Sequence, residues 1–361
     1  MLSICYVDDD PKDRKRFAER LSGGNTVVQP VSPPEQLSIE PIIRTKPDVL
    51  LIDYELTKPE TGRSPVSYQG GTLASRIRES FPDHPVVLLT REGLLAKREY
   101  RQMRDFMQIF DDVVYKGNIE KEPGAARSLL TSLAEGFARL RGTKPKSWKS
   151  LLRLLEAPPE AEDSLRKAGA PLRSEAHSPT ANWRVQEAAR WIRGVVLAYP
   201  GILYDRLHTA TALGIAIQSF SMPSVRKLFA PAEYRGPFQP QEGRWWRVRI
   251  YDIAQRVITA AKFSGSANVV FAAAYGKRAR TRLKPARCIF SNAVPADWVC
   301  YVLQKPVKRQ YSLPYHPDDR PAVMDEARVS FKAIRQDNRV LDELFDEQGQ
   351  ELLKEIRNLK Q

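Results

Sequence analysis

The stretch Pro47–Leu56, PDVLLIDYEL, decides the fold. Within it, Val49–Asp53 is a short apolar run that closes on a carboxylate. Unbroken apolar character over so few residues fits a strand buried on both faces. A charge at the end of such a strand is costly unless it meets water, a partner or a cation. Asp53 therefore poses a question: which other polar groups does the chain bring to it?

Outward from this stretch, strand-like and helix-like segments alternate. SICYV (3–7) runs into Asp8, Asp9 and Asp10 and then into an amphipathic segment at 11–21. TVVQPV (26–31), VVLLT (86–90) and DVVYK (112–116) are further strand candidates. Helices are expected near 71–80, 94–108 and 124–141. Five such βα units predict an α/β domain with a parallel sheet covered on both faces and right-handed crossovers. In that architecture the carboxyl ends of the strands share one edge, where ligands bind. The ends here are Asp8–Asp10, Asp53, Thr90 and Lys116. Clustered carboxylates need a bridging cation, and an all-oxygen donor set suits Mg²⁺. Taken singly, each Asp could also be a helix cap.

Four stretches in this order, CYVDDD, PDVLLIDYEL, PVVLLT and VVYKG, resemble the response-regulator receiver domain of two-component signalling over about residues 1–141. The resemblance implies a five-stranded, parallel, doubly wound, flavodoxin-like fold. It implies that Asp53 is the phosphoacceptor, attacking a phosphohistidine. Asp8 and Asp9 would hold Mg²⁺ together with Asp53 and the backbone carbonyl of Glu55. Thr90 would turn its hydroxyl toward the bound phosphoryl group, and Lys116 would pair with one of its oxygens. The implied partner is a sensor histidine kinase or a phosphotransfer protein. Three positions depart from the family pattern. Gly117 follows the lysine where proline is usual, Val113 stands where Tyr or Phe is frequent, and the loop LTKPETGRSPVSYQGG after Glu55 is long.

The chain's 361 residues exceed one compact core, and the charge divides unevenly. Net charge is +14, yet residues 1–140 sum to about −1 and the remainder to about +15. A receiver at 1–141, a linker at 142–180 and a basic output domain at 181–361 are expected. Three scattered cysteines fit a reducing cytoplasm, and no apolar run has the length of a membrane span. The output domain reads as mostly α-helical, in an α+β arrangement. ATALGIAIQSF has the spacing of a helix-turn-helix, but Pro223 would interrupt the recognition helix. GKRARTRLKPAR (276–287) crowds Lys277, Arg278, Arg280, Arg282, Lys284 and Arg287 together, with Trp245, Trp246 and Tyr275 near in sequence. Such a stretch is a candidate DNA or RNA contact; a solvated hairpin or a protein-docking face are equal alternatives. CIFSN and DWVCY suggest a strand pair. Segments 320–338 and 340–360 read as amphipathic helices, the second with a Leu/Ile/Phe stripe fit for a core, a homodimer or a partner protein. No hydrolase triad, zinc motif or nucleotide loop is present. Two functions stay open: a phosphorylation-responsive regulator of a nucleic-acid-binding domain, and a receiver-type adaptor in a signalling or defence assembly that has lost phosphorylation.

Overall fold

A computed structural model describes residues 1–58, 62, 64–91, 109–143, 145, 147–170, 184–315, 323–336, 351 and 354. The chain divides into two compact units. One holds Met1–Lys146 with Pro171–Arg190; the other holds Ser147–Ala170 with Trp191–Gln361. The helix expected near 94–108 and the terminal amphipathic stripe lie outside the described residues.

In the first unit, β1 (Leu2–Val7), β2 (Thr26–Val31), β3 (Val49–Asp53), β4 (Val86–Thr90) and β5 (Asp112–Tyr115) form one all-parallel sheet in the order β2-β1-β3-β4-β5. Every residue of β3 and β4 is buried, as a central strand covered on both faces requires. The helices around it are α1 (Pro11–Leu21), α2 (Glu40–Ile43), α3 (Gly70–Ser80), α4 (Lys116–Lys121) and α5 (Pro123–Thr143). This is the doubly wound, flavodoxin-like arrangement. The chain leaves β1 toward β2 on one side and returns to β3 on the other, so a crevice opens at the carboxyl ends of β1 and β3.

Local chemistry starts and stops the elements around that crevice. Asp10 caps α1, accepting from the backbone N–H groups of Lys12 at 2.9 Å and Asp13 at 3.3 Å, with Pro11 in the first turn. At the far end of the sheet Arg78 and Asp111 form a buried ion pair. Asp111 also accepts the Val86 N–H at 2.8 Å, and Arg78 donates to the carbonyls of Ile109 and His84. Gly70 opens α3 so close to β3 that a Cβ there would lie 2.0 Å from the Asp53 carbonyl oxygen.

The second unit is helix-rich with separate small sheets. It begins with α6 (Trp148–Leu155) and α7 (Glu162–Lys167), so part of the stretch expected as a linker is helical. The helix α8 (Val185–Trp191) belongs to the first unit as far as Arg190, and from Trp191 the second unit continues as a π-helical turn to Leu197. A core of Phe220, Phe229, Trp245, Ile250, Ile258 and Phe271 is closed by α9 (Arg206–Ala212), α10 (Ile217–Phe220), α11 (Pro223–Phe229), α12 (Arg247–Ala260) and α13 (Ala267–Ala279). The helix-turn-helix spacing is interrupted at Pro223, as the sequence implies. α10 is a single turn, and Pro223 starts a new short helix instead of extending a recognition helix. Gly214 turns at φ +67°, and a Cβ there would lie 1.8 Å from the Asn268 carbonyl, so the turn serves close packing on α13.

β6 (Leu203–Tyr204) pairs with β7 (Trp245–Trp246), and a four-stranded sheet has the order β10-β11-β8-β9. Its strands are β8 (Trp298–Cys300), β9 (Lys305–Val307), β10 (Ser312–Tyr315) and β11 (Ala327–Ser330). The helix expected over 320–338 is corrected to β11 followed by the short α14 (Phe331–Arg335). Arg328 is buried within β11 because its guanidinium donates to the carbonyls of Ser312 at 2.7 Å and Arg309 at 3.2 Å, an arrangement helical periodicity cannot signal. CIFSN is not a strand. Cys288 and Cys300 are both buried and free; the Cys288 sulfur accepts from the Lys308 N–H and the Cys300 sulfur from the Ser330 N–H. No helix among the described residues is long and apolar enough to cross a membrane.

Gly70→Ala is expected to lower stability by about 2 kcal/mol through forced overpacking. Gly117→Ala, where a Cβ meets nothing within 4 Å, is expected to leave it nearly unchanged. Urea unfolding of the two variants checks this.

Candidate functional site

The strand ends bring together the residues expected from the sequence. Asp8 and Asp9 follow β1, Asp53 ends β3, Thr90 ends β4, and Lys116 follows β5; all five are buried. Lys116 Nζ lies 2.9 Å from Asp8 Oδ2 and 3.0 Å from Asp53 Oδ2. It also lies 3.3 Å from Asp13 Oδ2 and 5.6 Å from the centre of the Phe17 ring. Asp8 is fixed further by the Tyr6 hydroxyl, which donates to Oδ2, and by the Asp10 N–H, 2.8 Å from Oδ1. Glu55 lies just beyond β3 with its side chain exposed.

Three of these partners were not singled out from the sequence. Asp13 had a readable signal: with Phe17 and Leu21 it occupies one face of α1 at four-residue spacing, and all three are buried. A charge on an apolar stripe is a charge with a partner, here Lys116. Tyr6 sits in a strand that reads as plain core. Lys58, in the long loop after β3, donates its backbone N–H to Asp9 Oδ2 at 2.5 Å and its ammonium to Asp10. Nothing in the loop's composition marks that contact.

Among the described residues, three carboxylates (Asp8, Asp13 and Asp53) meet one buried ammonium, and a fourth, Asp9, is buried next to Asp8 in the chain. Arg91 reaches Asp13 at 3.4 Å from an exposed position. Burial first, and the charge of Asp8 second, push Asp53 well above the usual carboxyl value; Lys116 pulls the other way. For Lys116, burial opposes the charged form, but Asp53 and Asp8 together outweigh it and hold the ammonium up at about 12. Burial also raises Asp9. Asp10, at the rim, is lowered to about 2 by its hydrogen bond from Lys58.

Oxygen atoms of Asp8, Asp9 and Asp53 lie within 4.8 Å of one another, so the three can share one cation. The donor set is oxygen only and the local charge is negative, which fits a hard divalent cation such as Mg²⁺. Thr90 fits a second ligand. Its Oγ1 is fully buried and has no hydrogen-bond partner. Such a hydroxyl costs stability in the free protein and gains a partner when an acceptor arrives.

The basic stretch of the second unit is less concentrated than its sequence. Lys277, Arg278, Arg280, Arg282, Lys284 and Arg287 are all exposed. Lys277 turns back to donate to the Ala261 carbonyl at 3.2 Å, and Arg280 ends α13 in the left-handed conformation. Arg282, Lys284 and Arg287, joined by Lys305, line a groove of about 1000 Å³ that contains no carboxylate among the described residues. Trp245, Trp246 and Tyr275 are buried in the core and unavailable for stacking on bases.

No family model matches the chain, and none of the curated proteins matches it. Among solved structures, the N-terminal part is similar to response-regulator receiver domains. The receiver domain of a Bacteroides fragilis two-component response regulator shares 22% identity over 37% of this chain and 98% of its own, with a TM-score of 0.28. That of the putative response regulator NarL from Mycobacterium tuberculosis shares 23% identity over 35% of this chain and 91% of its own, with a TM-score of 0.27. The RcsB response regulator of Salmonella typhimurium shares 16% identity over 54% of this chain and 89% of its own, with a TM-score of 0.26. The fold reading rests on strand order and register, which the sheet itself supplies.

The raised Asp53 has a signed consequence. In the window that opens above the ordinary carboxyl value of 3.8, the folded chain keeps a proton on Asp53 that the unfolded chain has released. Stability of the metal-free protein is therefore expected to fall as pH rises through that window. Asp53→Asn is expected to flatten the trend, as read from unfolding midpoints across the range.

Thr90→Val removes an unpartnered hydroxyl at nearly constant volume. It is expected to raise stability by about 1 kcal/mol in urea unfolding.

Proposed function

We propose that this chain is a phosphorylation-responsive response regulator in which Asp53 accepts a phosphoryl group from a histidine kinase or phosphotransfer protein. The observation that carries this is the meeting of Asp53, Lys116 and the unpartnered Thr90 hydroxyl at the strand ends, beside a carboxylate cluster fit for Mg²⁺. An Asp53 oxygen attacks the phosphorus, the P–N bond of the phosphohistidine breaks, and its electron pair returns to the imidazole nitrogen. When bound, the divalent cation supplies charge neutralisation on the transferring oxygens. Asp8 and Asp9 would hold that cation together with Asp53. Lys116, already 3.0 Å from Asp53, follows the acceptor oxygen onto the phosphoryl group. Thr90 donates its hydroxyl to the same group.

Ordering Thr90 and drawing Lys116 away from Asp13 changes the edge formed by β4, β5 and α1. That is the element a phosphorylation switch would bias. The output is the basic second unit. Its groove offers Arg282, Lys284, Arg287 and Lys305 to a nucleic-acid backbone, without aromatic stacking. This supports contact with phosphates over reading of bases.

One observation favours the adaptor reading instead. Lys116 already has three carboxylate partners, and Asp13 competes with an incoming phosphoryl group for it.

Incubation with Mg²⁺ and acetyl phosphate, followed by intact mass, separates the two. Addition of one phosphoryl group is expected for the wild type, and none for Asp53→Ala or with chelator. No addition to the wild type would leave the adaptor reading. For the output, the combined Arg282→Ser, Lys284→Ser and Arg287→Ser variant is expected to flatten the salt dependence of duplex DNA binding by about 3 in log–log slope.

A further inference from the structure

The second unit contains a cavity that phosphoryl transfer does not use. It has a volume of about 440 Å³, within the size range of small-molecule sites. It lies between α9, the Tyr199–Tyr204 segment and the β8 and β11 strands, whose residues line it.

Three independent features of the lining point to a ligand. The first is aromatic. Tyr251 and Tyr301, 41% and 36% exposed, are the exposed aromatic side chains among the described residues, and both line this cavity with Trp298. Exposed rings gathered at one concavity mark a binding surface more often than scattered ones do. The second is charge. Four carboxylates, Asp205, Asp297, Asp325 and Glu326, line the cavity, and no lysine or arginine among the described residues does. That is the reverse of the chain around it, which carries about +15 beyond residue 140. The third is an orphan. Thr211 is 2% exposed, lines the cavity, and has no hydrogen-bond partner for Oγ1.

The carboxylates differ in how far they are already compensated. Asp325 accepts from Arg247 and from the Tyr204 hydroxyl, and Glu326 accepts from Arg328 at 2.7 Å and Arg309 at 3.4 Å. These guanidiniums approach from outside the lining and fix the two side chains. Asp205 is held by His208, whose Nδ1 lies 3.0 Å from Oδ2 and whose backbone N–H lies 2.7 Å from Oδ1. The same bond orients the His208 ring, leaving Nε2 for another partner. Asp297 is the least compensated: its Oδ1 takes the Arg309 backbone N–H at 2.9 Å, and it stands exposed at the mouth.

We propose that this cavity binds a small planar organic cation of the amidinium or guanidinium class. The exposed tyrosine faces attract cations, Asp297 supplies a counter-charge at the entrance, and the Thr211 hydroxyl and His208 give a donor-rich plane hydrogen-bond partners. A phosphate or carboxylate ligand would meet the uncompensated Asp297 and, among the described residues, no lysine or arginine on the lining. The proposal stands on the second unit alone and does not depend on phosphorylation of Asp53.

Three near-isosteric probes, benzamidine, benzamide and benzoate, test it by calorimetric titration of the full chain. Benzamidine is expected to bind about tenfold more tightly than benzamide, with no binding of benzoate. Asp297→Asn keeps the acceptor for the Arg309 N–H and is expected to remove most of the preference for benzamidine over benzamide. Tyr251→Ala with Tyr301→Ala is expected to weaken benzamidine by about tenfold, circular dichroism being unchanged. Absence of benzamidine binding at millimolar concentration, or binding of benzoate as tight as that of benzamidine, would overturn the proposal. So would an Asp297→Asn variant with the full preference intact.

Discussion

One buried ammonium organises the first unit. Lys116 enters from the end of β5 and is held by Asp8 from β1, Asp53 from β3 and Asp13 from α1. Four separate segments are tied through a single nitrogen. Removing the lysine would leave like charges facing one another in a site with little water to screen them. Keeping it leaves the cluster still short of positive charge. The unit is thus folded around a deficit of positive charge, which a divalent cation can fill.

The sheet makes that geometry affordable. Its strand order puts β1 and β3 side by side at the point where the chain reverses direction, so Asp8, Asp9 and Asp53 converge without any special loop. Gly70 lets α3 start against the Asp53 carbonyl, and Asp10 starts α1 so that Asp13 faces inward. The helix cap and the acid cluster are parts of one turn.

Much of this is legible in the sequence. Apolar runs ending on Asp53, Thr90 and Lys116 define both the sheet and its functional edge, because a buried strand can carry charge only where it emerges. Asp13 was legible in principle, as a charge on the stripe of Phe17 and Leu21. Lys58 was not, since a backbone N–H donating to Asp9 leaves no trace in side-chain pattern. In the second unit the reading weakened because its elements are short. Residues 327–335 pass from strand to helix at Ser330, and Arg328 is buried by carbonyls that lie 16 and 19 residues away. Local periodicity cannot report partners at that distance. The basic run 276–287 is visible, but the burial of Trp245 and Tyr275 is set by the core around Phe220 and Phe271, and Trp246 packs on Tyr234.

The two units carry different chemistry. The first concentrates carboxylates around one lysine; the second carries a basic groove and, apart from it, an acidic aromatic cavity. The central claim is that Asp53 is the nucleophile among four neighbouring carboxylates. Borohydride reduction of the acetyl-phosphate-treated protein, followed by peptide mass spectrometry, tests it most directly, because an acyl phosphate is reduced to the alcohol at the residue that carried it. Conversion of Asp53 to homoserine, dependent on Mg²⁺, is the expected result. Reduction at Asp8, Asp9 or Asp13 instead, or no reduced residue at all, would contradict the account.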